Sequence, residues 1–367
     1  MNGTIIFALW FIAAEAALTA VQLIFRKRKL KTGARVGVIA GELLLAVLFA
    51  FLPLGGPVQL RAVQPFMFAL YAALLPDVCA DIICGVIYKV RKKERRFGAV
   101  KAVSLIFGAA FFVFGVVNML TVTPKYHTYT SEKLKTEHTV VFIADLHVGS
   151  AQPFSVTEKT VAEVRDLKPD ATILGGDIVD DYTTKQEMEA TFRLFADFET
   201  PVYYLYGNHD RQGHAEYAGG RKFTQEDLEA AMRENGVTVL RDEYAEIAPD
   251  LLLLGREDIS EDEGRKDIAD LPNPAPEKYL IVADHQPSEF KKNLAAGTDL
   301  QLSGHTHAGQ LFPLGPLYRL IGYCHGDYTE GEAVMNVSAG ACGWRVPFRT
   351  QARCNYEVIR LTPGVAG

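Results

Sequence analysis

Five short clusters of Asp, Asn and His, each placed directly after an apolar, β-branched run, constrain this chain more than any other feature. The runs are Thr139–Ala144, Ala171–Leu174, Val202–Tyr206, Tyr279–Ala283 and Leu300–Leu302. They lead into Asp145-Leu146-His147, Gly175-Gly176-Asp177-Ile178-Val179-Asp180, Gly207-Asn208-His209-Asp210, Asp284-His285 and Gly304-His305-Thr306-His307. Short apolar runs bounded by turn residues read as buried strands, and Leu251–Leu254 and Val334–Val337 add two more. Amphipathic stretches lie between them, over Lys185–Phe198, over Thr224–Asn235 and from Ser155, where Glu158 three residues later predicts a capping box. The pattern predicts an α/β fold in which the carboxyl ends of the strands collect the Asp, Asn and His side chains at one ligand site.

The residue types suit one chemistry. Two divalent ions about 3.5–4 Å apart can clamp an in-line displacement at phosphorus. They require a bridging carboxylate and a mixed shell of carboxylate, imidazole and amide oxygen. That shell suits Mn, Fe, Zn or Ni, whereas Mg prefers more oxygen. A water held between the ions loses a proton near neutral pH and becomes the nucleophile, and a free imidazole nearby protonates the leaving oxygen. Either Asp-x-His or Gly-Asp-x-x-Asp alone is as readily a turn or a helix cap. All five clusters in order, each after an expected strand, are much more specific.

This set of motifs resembles the signature of the calcineurin-like metallophosphoesterase family over roughly residues 139–361. The Gly304–Gln310 segment is similar to the membrane-associated bacterial branch, which includes enzymes cleaving the pyrophosphate of UDP-diacylglucosamine. The resemblance implies a four-layer α/β/β/α sandwich of two mixed sheets flanked by helices. It implies that Asp145, His147, Asp177 and His307 hold one metal and that Asp177, Asn208, His285 and His305 hold the other, with Asp177 bridging. It also implies that His209 faces the leaving group and that Asp210 orients His209. Ala308 stands where the branch commonly has glycine, and Asp284 precedes the motif histidine, where it can alter the electrostatics behind the ligands. Asp180 is expected to stand behind the ligands or to be structural.

The first third of the chain has a different character. Four apolar segments, Thr4–Phe25, Val36–Leu54, Pro65–Tyr88 and Ala102–Val122, approach or exceed the ~20 residues a helix needs to cross a bilayer. Basic residues concentrate between the first and second (Arg26, Lys27, Arg28, Lys29, Lys31, Arg35) and between the third and fourth (Lys89, Arg91, Lys92, Lys93, Arg95, Arg96, Lys101). Only Arg61 lies between the second and third. Basic loops stay cytoplasmic, so the expectation is a multi-pass protein of the cell membrane with its N-terminus and catalytic domain outside the cytoplasm. Residues 1–124 are read as a four-span region that resembles the anchor of transmembrane proteins with a metallophosphoesterase domain, 125–138 as a linker and 139–367 as the catalytic domain. Asp77 and Asp81, four apart beside Pro76, share one helix face. They form either a polar site in the bundle or a structural contact, and Glu15 and Glu42 are candidates to join it.

Charge separates the halves. Residues 1–130 hold 15 Lys/Arg and 5 Asp/Glu, and the remainder holds 23 and 39. A domain that acidic is a poor match for nucleic acid. The five cysteines include no Cys-x-x-Cys pair and do not settle the compartment.

Arg211, Arg256, Arg345 and Arg349 are candidates to grip a phosphate. His127, His138, His214 and His325 read as ordinary surface residues. Leu311–Gly322 follows the last metal histidines and is too apolar for an exposed loop. It either packs in the core or dips into a bilayer surface and admits a lipid substrate. Two enzyme readings follow: a hydrolase of phosphorylated lipid headgroups or envelope phosphoesters outside the cytoplasm, or a soluble-nucleotide phosphodiesterase or phosphatase tethered by its helices. A membrane sensor or scaffold without turnover is a third reading, which a complete ligand set with His209 disfavours.

Overall fold

The computed structural model describes residues 3–26, 32–55, 64–93, 96–261 and 264–364. Two units divide it. One comprises Met1–Val117 with Leu311–Leu314 and Val346–Thr350, and the other Asn118–Gln310, Gly315–Arg345 and Gln351–Gly367.

Among the described residues the first unit holds four helices, α1 Gly3–Arg26, α2 Thr32–Gly55, α3 Gln64–Val90 and α4 Phe97–Leu120. Among the described residues three stretches are long and apolar enough to cross a membrane: Thr4–Leu23, Gln64–Val90 and Phe97–Leu120. The apolar stretch described in α2, Val36–Ala50, is shorter, so three of the four expected spans reach that length among the described residues. Lys27, Arg28, Lys29, Lys31, Arg61 and Arg95, on which the expected orientation partly rests, lie outside the described residues. Lys101 is no loop charge. It is buried within α4 and sits 3.3 Å from Glu15 and 3.1 Å from Asp77. Ser104 and Gln22 also donate to Asp77. The polar face expected at Asp77 is therefore an interhelical network in which Asp77 and Glu15 share the Lys101 ammonium. Phe348 packs among Phe7, Phe111 and Phe112 with ring centroids 5.4–6.0 Å apart, and Tyr71 Oη donates to the Phe312 carbonyl at 2.7 Å.

The second unit holds twelve strands in two six-stranded sheets. They are β1 Val122–Ser131, β2 His138–Ile143, β3 Ala171–Leu174, β4 Val202–Tyr204, β5 Val237–Val239, β6 Glu243–Ala248, β7 Leu251–Gly255, β8 Tyr279–Ala283, β9 Leu300–Ser303, β10 Gly326–Glu330, β11 Ala333–Val337 and β12 Cys354–Pro363. The first sheet runs β1-β12-β2-β3-β4-β5 and the second β10-β11-β9-β8-β7-β6. Both are mixed: β2 to β5 and β7-β8-β9-β11 are parallel, while β12 on β2, β6 on β7 and β10 on β11 are antiparallel.

Alternation along β2 explains the layering. Val140, Phe142 and Ala144 meet Leu253, Ile281 and Leu302 of the second sheet. Val141 and Ile143 point the other way, onto Val161 of α5 (Phe154–Asp166), Phe192 of α6 (Lys185–Arg193) and Met232 of α7 (Gln225–Glu234). A strand buried on both faces must be apolar throughout, which is why these runs do not alternate in sequence. The outer face of the second sheet is covered by short helical turns carrying Ile268, Leu271 and Phe290. The result is the expected four-layer sandwich.

Two local expectations change. Residues 125–138 are not simply a linker, because β1 forms the edge of the first sheet, parallel to β12 over ten residue pairs. Its alternation of half-buried and exposed residues conceals it beside the continuous apolar strands. The capping box expected at Ser155 is also missing. Pro153, at φ −63° and ψ 144°, starts the helix without a side-chain cap and leaves Ser155 inside the first turn. Capping boxes form instead at Thr184 with Glu187 and Thr224 with Asp227.

Candidate metal centre

The loops after β2, β3, β4, β8 and β9 converge at one end of the sandwich. They bring together two groups of ligand atoms: Asp145, His147 and His307, and Asp177, His285 and His305. Asp177 lies between them, with Oδ2 3.2 Å from His285 Nε2 and 3.6 Å from His147 Nε2. His307 Nε2 is 3.8 Å from Asp145 Oδ1.

The backbone is bent to achieve this. Asp145, His147, Asp177, His305 and His307 all adopt positive φ, between 41° and 69°. Side chains rarely tolerate that region, and such strain persists where the surroundings enforce it. Glycines make room: a Cβ on Gly304 would lie 2.5 Å from Asp145 Oδ2. Ala308, in the place where glycine was noted as common, has φ 51° and ψ 24°, which explains that preference.

Hydrogen bonds select the ligand atoms. His285 Nδ1 lies 2.8 Å from the Gly175 carbonyl and His307 Nδ1 3.2 Å from the Cys342 carbonyl. Donation to a carbonyl puts the proton on Nδ1 and leaves the Nε2 lone pair facing the carboxylates. Among the described residues, Nε2 of His147 and His285 and Oδ1 of Asn208 are buried without a hydrogen-bond partner. An unsatisfied buried polar atom costs about 1–3 kcal/mol. Three such atoms beside two carboxylates fit divalent ions as the missing partners, so the donor set suits two metals.

The buried carboxylates set the electrostatics of the cluster. Burial and the neighbouring His285 push His305 down to about 4, so it offers a neutral lone pair. Burial opposes charge on His147, but Asp180, Asp177 and Asp145 outweigh it and lift His147 to about 9. Burial would likewise raise Asp177, yet His285, His209 and His147 hold it well below the usual carboxylate range.

His209 stands beside this cluster, its ring centroid 5.5 Å from that of His147. Asp210 has no hydrogen bond to its ring. The Asp210 carboxylate is fully buried and accepts amide hydrogens from Asp177, Ile178, Val179 and Gly207, tying the β3 and β4 loops together. The group at His209 Nδ1 is Asp181, with Oδ2 2.8 Å away. Adjacent carboxylates of one turn diverge: Asp180 faces His147 Nδ1 at 3.4 Å and Asp181 faces His209. The Asp180-Asp181 doublet was the only sequence signal for this role.

The arginines separate. Arg211 donates to Glu257 at 2.8 Å and lies 3.6 Å over the Tyr206 ring, so the scaffold already holds it. Arg256 is 1% exposed, 3.3 Å from Asp242, and donates to the Lys266 carbonyl. Its burial beside Asp242 ties it to the scaffold. Arg349 is fully buried and groups with the helices, its amide bonded to the Gly115 carbonyl. The Arg345 guanidinium lies 4.8 Å from the Trp344 ring and 5.1 Å from the Tyr182 ring. Behind His285, Arg265 grips Asp284 at 2.8 and 3.1 Å, which neutralises the extra acid. Among the described residues no cysteine forms a disulfide.

Residues 138–309 match the family model described as calcineurin-like phosphoesterase. They form a calcineurin-like metallophosphoesterase domain. An uncharacterized metallophosphoesterase of Helicobacter pylori is 29% identical over 242 residues, covering 63% of this chain and 62% of that protein. A transmembrane protein with metallophosphoesterase domain of Danio rerio is 28% identical over 233 residues, covering 60% and 52%. The Escherichia coli phosphodiesterase YaeI is 31% identical over 183 residues, covering 47% and 61%. The matches thus span about half to three-fifths of these relatives. The metallophosphoesterase domain occupies the sandwich, and the apolar helices precede it.

Proposed function

We propose that this protein is a membrane-anchored, two-metal phosphoester hydrolase. The observation that carries the reading is Asp177, one carboxylate set between two groups of ligand atoms that lack other partners. Asp145, His147, Asp177 and His307 would hold one ion, and Asp177, Asn208, His285 and His305 the other. Mn, Fe, Zn or Ni suits this nitrogen-rich set. Two such ions would supply Lewis-acid activation of the phosphoryl group and of a water nucleophile. His209, whose charged form Asp177 and Asp181 favour against burial, would deliver a proton to the leaving oxygen. Asp210 holds the two loops in register so that Asn208 and His209 stay aimed at that point.

The same reading places the domain outside the cytoplasm, because the basic clusters of the sequence flank the first and third apolar helices. It takes phosphorylated lipid headgroups or envelope phosphoesters as substrate. Leu317, Leu320 and Ile321, shortly after His307, are 41%, 81% and 83% exposed, which is unusual for aliphatic side chains and suits a bilayer surface.

The test uses the full-length protein in detergent, reconstituted with Mn. Turnover of chromogenic mono- and diesters should exceed that of Asp177→Asn by at least about a thousandfold, and the variant should lose bound metal. Equal turnover in both proteins would sink the enzyme reading. Comparing phospholipids with nucleotides as substrates separates the lipid reading from hydrolysis of soluble nucleotides.

A further inference from the structure

Glu257 lies two residues beyond β7 in the second sheet and is 1% exposed. A carboxylate buried that deeply must be paired, and both its oxygens are matched. Oε2 accepts from Arg211 Nη2 at 2.8 Å and from Arg241 Nε at 2.9 Å, and Oε1 accepts the Asp258 amide at 2.8 Å. The Glu257 amide donates to Asp242 Oδ1 at 3.2 Å. Arg241 and Asp242 lie where the chain passes from β5 in the first sheet to β6 in the second. Arg211 belongs to the loop after β4, three residues past Asn208. Glu257 therefore clasps the Asn208 loop of one sheet to a strand end of the other.

The same turn holds the His285 loop. Asp258 is buried and accepts from the Ser260 amide and hydroxyl and from Gln286 Nε2 at 3.0 Å. Gln286 directly follows His285. Arg265 donates to the Glu257 carbonyl and to Asp284, which directly precedes His285. Asn208 Oδ1 is buried without a hydrogen-bond partner among the described residues, so the place of that oxygen depends on the loop that carries it. Asn208 and His285 are ligands of the same ion in the reading above. Asp145, His147 and His307 serve the other ion from the loops after β2 and β9, which none of these bonds reaches. Groups that support a ligand from behind set metal affinity nearly as strongly as the ligand itself.

We propose that Glu257 is a positioning residue for one metal ion: by holding Asn208 and His285 it governs the ion bound with His305 and leaves the Asp145-His147-His307 site independent of it. This rests on the two-metal reading of the site, so binding is measured directly and not through turnover. Metal-free, full-length protein in detergent is titrated with Mn, and the ions bound per chain are counted after equilibrium dialysis. The unmodified protein should bind two, one for each ligand group. Glu257→Gln keeps the shape and removes the charge. It should weaken one ion about ten- to a hundredfold and hold the other within about twofold. Arg211→Gln opens the clasp from its less buried side and should weaken the same ion, which keeps the test decisive where Glu257→Gln does not fold. Pairing identifies the ion. Glu257→Gln added to Asn208→Ala should change little further, whereas added to His147→Ala it should leave no tightly bound ion. Leu228→Ala, a cavity in the helix layer, should lower the melting temperature without separating the two affinities. Equal weakening of both ions, unchanged binding of both, or an ion retained in the His147→Ala pair overturns the positioning role and leaves the two-metal site standing. Fewer than two ions on the unmodified protein removes the two-metal reading and the proposal with it.

Discussion

Asp181 Oδ2 lies 2.8 Å from His209 Nδ1, while its Oδ1 accepts the His214 amide at 2.8 Å. The second bond fixes the carboxylate, and the first fixes the imidazole and favours its charged form. Asp181→Asn can keep the bond from His214 but turns an amide donor toward Nδ1. Roughly tenfold to a hundredfold loss of kcat is expected, with metal content unchanged. His209 is held above its ordinary value by Asp177 and Asp181 against burial. Removing one of those carboxylates moves its titration down, so the alkaline limb of the kcat profile should shift to lower pH. A profile shifted upward, or metal lost from the variant, would contradict this role.

The exposed turn after the metal histidines separates a tether from a substrate path. Leu320→Asp with Ile321→Asp removes two aliphatic side chains that contribute little to the core, so the melting temperature should change little. Hydrolysis of a phospholipid in vesicles should fall about tenfold or more, with soluble chromogenic esters hydrolysed as before. Equal rates on vesicles would remove the bilayer-contact role.

His127 links the sheets at the edge of the sandwich. Its Nε2 is 2.8 Å from the fully buried Glu357 on β12 and its Nδ1 3.6 Å from Asp327 on β10. It is no ordinary surface residue. Burial disfavours its charge, but Asp327 and Glu357 lift it to about 9. A folded value above the unfolded ~6.5 means that the ion pair stabilises fully below pH ~6.5 and is lost as pH rises through about 9. The contribution is on the order of 3 kcal/mol. Thermal melting should therefore decline between pH 6.5 and 9.5, and His127→Gln should be less stable at pH 6 and flatter across the range.

Ala308 sits in the left-handed region between His307 and Gly309. A residue with a Cβ loses roughly 1–2 kcal/mol there, and glycine gives back part of that through its freer unfolded chain. Ala308→Gly should raise the melting temperature slightly and leave metal affinity intact. A drop in stability would show that the Ala308 methyl packs more strongly than its backbone is strained.

The strand ends at Asp145, Asp177, Asn208, His285 and His305 were legible because each ligand follows its own strand, and a buried strand announces itself by an unbroken apolar run. β1 and β10 were not legible, since edge strands alternate with exposed polar residues and read as loops. Arg211, Arg256 and Arg345 were all phosphate candidates in the sequence, with a salt bridge the favoured alternative for Arg256. Burial beside Glu257 and Asp242 committed the first two to the scaffold, while the third lies against Trp344 and Tyr182.

From the sequence alone came the ligand inventory, its order along the chain and the division between apolar helices and an acidic domain, all of which depend on local composition and spacing. Which carboxylate serves which imidazole was a tertiary matter. Asp180, Asp181 and Asp210 lie close together in the motifs, yet one faces His147, one faces His209 and one is consumed by four backbone amides. Those choices follow from the turns that Gly176, Gly207 and the left-handed residues impose, and a turn's direction is set by the loops packed against it.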